Sequence, residues 1–391
     1  MSTAMAVLDI VEWLTSDDCH ELDDAGLIAS LGRRLRAIDL PIDRLTLHLR
    51  TLHPEIFGRS IAWAPGEPVE IHDREHGIEL SPSFIIAALM QVMAACQAVT
   101  LRLDGSAETA AAVAGIDIYH DRDLAELIIA PLCNTDGPVS AASFGTTRRA
   151  GFTVSERSIL DRILPALRNA CELRTLRQVE LTLLDTYTGT NTARRILAGR
   201  IRRGQVESLD AALLLCDLRG FTALSNRLPV ERVLELLDLY FDRVVPPILA
   251  EGGEVLKFIG DAVLAFFPHT PPPQAAAAAF KSAGNALASL ARLAVPDATL
   301  EAGIALHHGQ VSYGNIGSGH RLDFTVIGPD VNLVSRIQSV CGATGHHLLM
   351  SARFAGLLGP DRTVPIGTYP LRGFSEPAQI HAVLDGHAFF P

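Results

Sequence analysis

Two apolar runs that each deliver one aspartate constrain this chain most. Leu213 to Thr222 reads LLLCDLRGFT, and Val255 to Phe267 reads VLKFIGDAVLAFF. A short continuous apolar run bounded by turn residues is the pattern of a buried strand, so Leu213 to Cys216 reads as one with Asp217 at its end. Val255 and Leu256, the Lys-Phe-Ile-Gly-Asp-Ala stretch and Val263 to Phe267 read as a hairpin with Gly260 and Asp261 at its bend. Neighbouring strands of this kind bring both carboxylates to one sheet edge. Such hard oxygen ligands suit Mg2+ or Mn2+, which keep several waters and take one or two protein carboxylates beside substrate phosphates. Each residue alone also has an ordinary reading: Asp217 as the cap of a helix opening near Phe221, Asp261 as a turn aspartate.

A third segment, Asp323 to Gln338, reads DFTVIGPDVNLVSRIQ. Val326 and Ile327 followed by Gly-Pro-Asp mark a strand running into a turn, and Val331 opens a helix. Asn332 and Arg336 are four residues apart on that helix and therefore lie one above the other on a single face. An amide and a guanidinium displayed together suit a sugar oxygen and a phosphate, because arginine offers a planar fork of donors. The ordinary alternative is a solvated helix face.

Together with GIALHHGQVSYGNIGSG at Gly303 to Gly319, these segments resemble the class III adenylate/guanylate cyclase catalytic domain, from about Val206 to the C-terminus. The resemblance implies a ferredoxin-like α/β palm working as a head-to-tail homodimer with two shared active sites. It makes Asp217 and Asp261 the ligands of two Mg2+ or Mn2+ ions per site, bridging a triphosphate. One ion lowers the pKa of the ribose 3′-hydroxyl and the other neutralises the leaving pyrophosphate. Asn332 corresponds to the residue that orients the ribose, and Arg336 to the one that stabilises charge on the α-phosphate.

Base selection in that family falls at Lys257 and Thr325. An ammonium and a hydroxyl can bond the adenine edge, whereas guanine-selective relatives usually show glutamate and cysteine there. The implied reaction converts ATP to 3′,5′-cyclic AMP and pyrophosphate. A guanylate cyclase and a catalytically silent nucleotide-binding or dimerisation module are the alternatives. Thr325 departs from the aspartate commonest in adenine-selective members, and Pro329 after Gly328 is a second departure that can stiffen the turn.

The 391-residue length suits two or three domains, and the net charge of −11 argues against a nucleic-acid surface, which needs a basic stripe. The six cysteines (Cys19, Cys96, Cys133, Cys171, Cys216 and Cys341) show no CxxC spacing, so neither a zinc site nor a disulfide framework is expected. Most of them read as small core residues of a cytoplasmic protein. The N-terminal stretch carries acids from Asp9 onward and lacks a basic secretory start. Phe84 to Leu101 approaches membrane-span length but contains Gln91 and Gln97, and is expected to be a buried helix beginning after Ser81-Pro82-Ser83.

In the first half, Leu45 to Leu52 alternates apolar and polar residues, and Ser60 to Trp63 and Val69 to His72 flank a Pro-Gly-Glu-Pro turn. These are strands of an antiparallel sheet. Leu127 to Leu132 and Val139 to Phe144 flank Asn134-Thr135-Asp136-Gly137, a hairpin turn. Thr153-Val-Ser-Glu156 is a capping box opening a helix with Ile159, Ile163 and Leu167 on one face. Sheet, hairpin and closing helix look like a GAF-type sensor domain over roughly residues 20 to 170, an architectural resemblance without a ligand signature. A small ligand of unknown identity is expected there. His72-Asp-Arg-Glu-His76 reads as a solvated turn rather than a metal site.

The expected organisation is thus 1–157 as a GAF-like sensory domain with an antiparallel sheet, 158–205 as a helical linker, and 206–391 as the α+β cyclase domain. The linker is helical in pattern, with breaks at Pro165 and around Tyr187 to Asn191. It is expected to dimerise and to pass the sensor's state onward, since a split active site loses on the order of 100-fold in rate for a displacement of about 1 Å.

Overall fold

The structure, a computed structural model, describes residues 3–80, 84–103, 123–133, 139–268, 270–296 and 298–384. The chain forms two compact units, Met1–Leu183 and Leu184–Pro391.

In the first unit the helices α1 (Thr3–Leu14), α2 (Asp17–His20) and α3 (Asp24–Ala37) precede β1 (Arg44–Arg50), β2 (Ile56–Trp63) and β3 (Glu70–Glu75). Then come α4 (Phe84–Ala95), β4 (Val99–Arg102), β5 (Glu126–Leu132), β6 (Ser140–Thr146) and α5 (Val154–Thr188). The strands make one antiparallel sheet in the order β3-β2-β1-β6-β5-β4. Leu45, Leu47 and Leu49 project to one side and pack with Ile61, Trp63, α1, α3 and the first half of α5. The other side meets α4 through Leu89, Val92 and Met93. Gly32 lets α3 lie directly on Trp63, because a Cβ there would collide with the indole ring.

The capping box at the start of α5 is reciprocal: Thr153 N donates to Glu156 Oε2 (2.6 Å) and Glu156 N to Thr153 Oγ1 (3.3 Å). The expected break at Pro165 does not occur. The helix runs through it, because Leu160, Ile163, Ala166 and Leu167 on either side are buried in the core, and that packing outweighs one lost backbone bond. The second expected break, around Tyr187 to Asn191, is present at Gly189, whose φ of +82° is left-handed.

Three other expectations change. Phe84 to Leu101 is not one helix: α4 ends at Ala95, Cys96 turns with φ +52°, and Val99–Arg102 joins the sheet. Cys96 and Cys133, with Cα atoms 6.2 Å apart, are joined as a disulfide, while Cys19, Cys171, Cys216 and Cys341 are free and buried. The ends of α4 and β5 meet in space, which spacing along the chain does not reveal. His72 to Glu75 is strand, not turn. The Ser81–Ser83 helix start and the Asn134–Gly137 turn lie outside the described residues. No helix among the described residues is long and apolar enough to cross a membrane.

His48 on β1 is buried, with Nδ1 3.3 Å from Ser60 Oγ and Nε2 3.1 Å from Ser143 Oγ. Burial, helped by the Arg74 charge, pushes its pKa down to about 3. The unfolded chain protonates His48 near 6.5, so its stabilising effect is complete above that pH and is lost as pH falls toward 3, at about 1.4 kcal/mol per unit. Urea denaturation between pH 6.5 and 4 is expected to show this slope, and His48→Gln to flatten it. An unchanged slope in the variant would exclude His48 as its source.

The second unit contains α6 (Thr190–Leu197), β7 (Val206–Leu218), α7 (Phe221–Arg227), α8 (Val230–Ala250), β8 (Glu254–Ile259), β9 (Ala262–Phe267) and α9 (Pro272–Ala291). It continues with β10 (Ala302–Gly317), β11 (Leu322–Ile327), α10 (Pro329–Thr344), β12 (Leu348–Ser351), α11 (Ala352–Leu358), β13 (Thr363–Tyr369) and β14 (Ala378–Val383). The sheet order is β13-β14-β12-β10-β7-β9-β8, with β11 paired to β10. The long β10 pairs with β7 from Ala302 to Gly314, in parallel with β12 in its first half and antiparallel with β11 in its second.

Along β7, Ala212, Leu214, Cys216 and Leu218 face α8 and α9, while Ala211 and Leu213 face α10. A strand covered on both faces reads as a continuous apolar run, which is how LLLC arises.

Candidate active site

The sheet itself brings the two aspartates together. Cys216 of β7 pairs with Val263 of β9, and β8 and β9 are joined through Gly260 and Asp261, with Ile259 opposite Ala262. Gly260 takes the left-handed φ of +64° that this turn requires. Asp217 and Asp261 therefore sit at the same end of adjacent strands. Asp217 is pushed up to about 6, first by burial, then by the charge of Asp261 and a hydrogen bond between the two carboxyls; a bond from Gln338 opposes this. Gln338 Nε2 donates to Asp217 Oδ2 at 3.0 Å. Asp217 does not cap α7, whose N-cap is Gly220.

Two touching carboxylates repel when both ionise, and a divalent cation between them relieves that repulsion. Among the described residues no group of three or more His, Cys, Asp or Glu side chains could hold a metal. The donor set thus fits a hard ion that completes its shell with water and substrate oxygens rather than an all-protein cage.

Asn332 and Arg336 lie on α10, with Asn332 exposed and Arg336 Nε donating to Arg372 O at 3.2 Å. Gln338, two residues beyond Arg336, is about 200° further around the helix. Because Gln338 reaches Asp217, the Asn332/Arg336 face of α10 points away from the aspartate pair. One chain assembles the carboxylates at one place and the amide and guanidinium at another.

Lys257 on β8 has its Nζ 3.9 Å from Asp323 Oδ2 on β11. Thr325, two residues along the same face of β11, is buried, and its Oγ1 has no hydrogen-bond partner among the described residues. The ammonium therefore lies beside the face of β11 that carries the unsatisfied hydroxyl.

Residues 205–373 form an adenylate and guanylate cyclase catalytic domain. The chain is 29% identical over 181 residues to "Adenylate cyclase, terminal-differentiation specific" of Dictyostelium discoideum, covering 44% of this chain and 8% of that protein. A bacterial light-regulated adenylyl cyclase structure covers 64% of this chain and 82% of its own at 21% identity and a TM-score of 0.50, a likeness of fold. The crystal structure of the guanylyl cyclase Cya2 is 30% identical, covering 46% of this chain and 93% of its own with a TM-score of 0.40. Both adenylyl and guanylyl cyclases thus stand among the relatives.

Motif reading missed three features of the cyclase domain. Gln338 and Asp323 are ordinary polar residues until the fold sets them against Asp217 and Lys257. The third is a buried network around Glu254, three residues before Lys257. Tyr313 OH donates to Glu254 Oε1 (2.6 Å), Asn191 Nδ2 donates to Glu254 Oε2 (2.7 Å), and Thr192 Oγ1 lies 3.0 Å from Tyr313 OH. Arg195 lies over the Tyr313 ring, 4.8 Å from its centroid, and also pairs with Glu207. The network ties α6 to the strand that carries Lys257 and leads to Asp261.

His307 also bonds Ser351 Oγ (2.7 Å) and Asp330 Oδ1 (3.1 Å), the order of a nucleophile triad. Ser351, however, is buried and caps α11 by accepting from Phe354 N, so the arrangement is structural.

Proposed function

We propose that the C-terminal unit is an adenylate cyclase that converts ATP to 3′,5′-cyclic AMP and pyrophosphate at the interface of a head-to-tail homodimer. Asp217 and Asp261 would hold two Mg2+ or Mn2+ ions, which when bound would supply charge neutralisation to the triphosphate and a lowered pKa to the attacking hydroxyl. From the partner, Asn332 orients the ribose, Arg336 offers its fork to the α-phosphate, and Lys257 with Thr325 reads the adenine edge. The observation that carries this reading is that α10 meets the aspartate pair through Gln338 and carries Asn332 and Arg336 on its other side: the groups that two-metal phosphoryl transfer needs are all present, yet one chain holds them apart. Exposed Val230, Leu234, Phe258 and Ile259 offer apolar surface to a second copy.

Adenine over guanine rests on Lys257 and on the unsatisfied Thr325 hydroxyl, which a base edge would satisfy. The first unit, with its antiparallel sheet and flanking helices, is read as a GAF-like sensor. Through α5, whose second half exposes Leu176, Leu181 and Tyr187, and through α6, it adjusts how two cyclase domains meet.

Purified full-length protein is expected to make cyclic AMP from ATP with Mn2+ or Mg2+, with Asp261→Asn as the inactive control. Lys257→Glu combined with Thr325→Cys is expected to lower the ATP-to-GTP ratio of kcat/KM by ~100-fold or more. An unchanged ratio would move base selection elsewhere, and no product from either nucleotide would favour the silent module.

A further inference from the structure

The edge strand β3 turns its polar residues inward: Glu70, His72 and Arg74 are partly buried, while Ile71, Asp73 and Glu75 are exposed. The register carries this polarity across the sheet. Arg50, Gly58 and Arg74 stand opposite one another, as do His48, Ser60 and His72, and Thr46, Ala62 and Glu70. Residues directly opposed on neighbouring strands share a face, and Ala62 places this face under α4. A sheet face beneath a helix is normally apolar; this one is not.

Several groups on it lack a hydrogen-bond partner among the described residues: Arg44 Nε, Thr46 Oγ1, His72 Nε2 and Arg74 Nη2, each atom being buried. Arg44 and Thr46 are almost completely buried, at 1% and 0% exposure. Native interiors seldom leave such groups unpaired. A cavity of about 40 Å3 opens at the Arg50 and Arg74 end of this face, and of these four groups Arg74 lines it. Phe57, Ile86, Leu89 and Met93 line its apolar side, and His48, Arg50, Arg59, Ser60 and Arg74 its polar side.

The charges on the sheet single out Arg74. Arg44 pairs with Glu70 (2.6 Å) and Arg59 with Asp73 (2.6 Å), but no carboxylate among the described residues is within ion-pair distance of Arg74. His48 is held between two serine hydroxyls and offers no counter-charge. A guanidinium without its anion, in the polar wall of a cavity whose α4 side is apolar, matches a ligand with an anionic head and an apolar body.

We propose that this cavity binds a small organic carboxylate, with Arg74 pairing its head and the α4 side chains covering its body. This gives a chemistry to the sensor ligand proposed above, and calorimetry on the full chain reads binding independently of cyclase activity, so the two readings can fail separately. The probes are octanoate and 3-phenylpropanoate, their neutral amides, and inorganic phosphate. At least one carboxylate is expected to bind saturably, its amide at least about 10-fold more weakly, and phosphate not detectably. Arg74→Gln is expected to weaken carboxylate binding by about 10- to 100-fold. Met93→Trp, which fills the cavity from α4, is expected to abolish it while circular dichroism stays native. Absence of binding by both carboxylates, equal binding of the amide, phosphate binding as tight as the carboxylate, or unchanged affinity in Arg74→Gln would each overturn the assignment.

Discussion

Asp217→Asn is expected to leave the protein folded, to raise its melting temperature without metal, and to lower cyclase activity by about 100- to 1000-fold or more. The two effects share one cause. Asp217 and Asp261 touch, and burial with the neighbouring charge pushes Asp217 up to about 6. An unfolded aspartate titrates near 3.9, so the folded chain binds the proton more tightly. Stability linked to this group therefore increases as pH falls from about 6 toward 4, and above 6 the ionised pair works against the fold. Partial exposure screens the effect to the order of 1 kcal/mol.

Asparagine keeps the shape and can still accept from Gln338, but removes the repulsion and one hard oxygen ligand. At pH 8 with EDTA the variant should melt above wild type, and the gap should close near pH 4. Saturating Mn2+ should reverse the order, because an ion bound to the native state alone stabilises it as RT ln(1 + [L]/Kd). Thermal melts of both proteins with and without Mn2+, beside a pyrophosphate assay, provide the check. A variant that melts lower in EDTA, or that keeps its activity, would remove Asp217 from the metal site.

The sequence made the carboxylate edge legible for a physical reason. A strand buried on both faces must be a continuous apolar run, so the first polar residue after it, Asp217, lies near its end. Gly260 marks the tight bend that sets Asp261 beside it. Helix periodicity placed Asn332 and Arg336 on one face, and the family resemblance supplied the role proposed for them.

What periodicity cannot give is the partner across the fold. Gln338 is one more polar helix residue until α10 packs on β7, and Glu254 is one more strand acid until Tyr313, Asn191 and Thr192 surround it. The alternation in LTLHLRTL identifies two faces but not which is wet. Thr46 and His48, on the polar side, are as buried as the leucines between them. Cys96 and Cys133 show the same limit, since only the tertiary path of α4 and β5 makes them neighbours.

Two inactive chains should together make an active enzyme. Asp217→Asn disables the metal half-site and Arg336→Ala the phosphate half-site, and on one chain these halves lie on diverging faces. In a head-to-tail pair each active site takes its carboxylates from one copy and its arginine from the other. A mixed dimer then holds one site with both defects and one with neither. Random exchange makes half of all dimers mixed, so the mixture should recover about a quarter of wild-type activity from components that each show almost none. Arg336→Ala alone should depress kcat more than KM, because the guanidinium answers charge that grows in the transition state. Subunit exchange is verified with two distinguishable tags, and activity is followed as a function of mixing ratio, which should peak at equal amounts. If exchange is complete and activity stays at the level of the single variants, each site is built within one chain, and α10 must then turn its Asn332/Arg336 face toward the aspartates by a rearrangement that breaks the Gln338 to Asp217 bond.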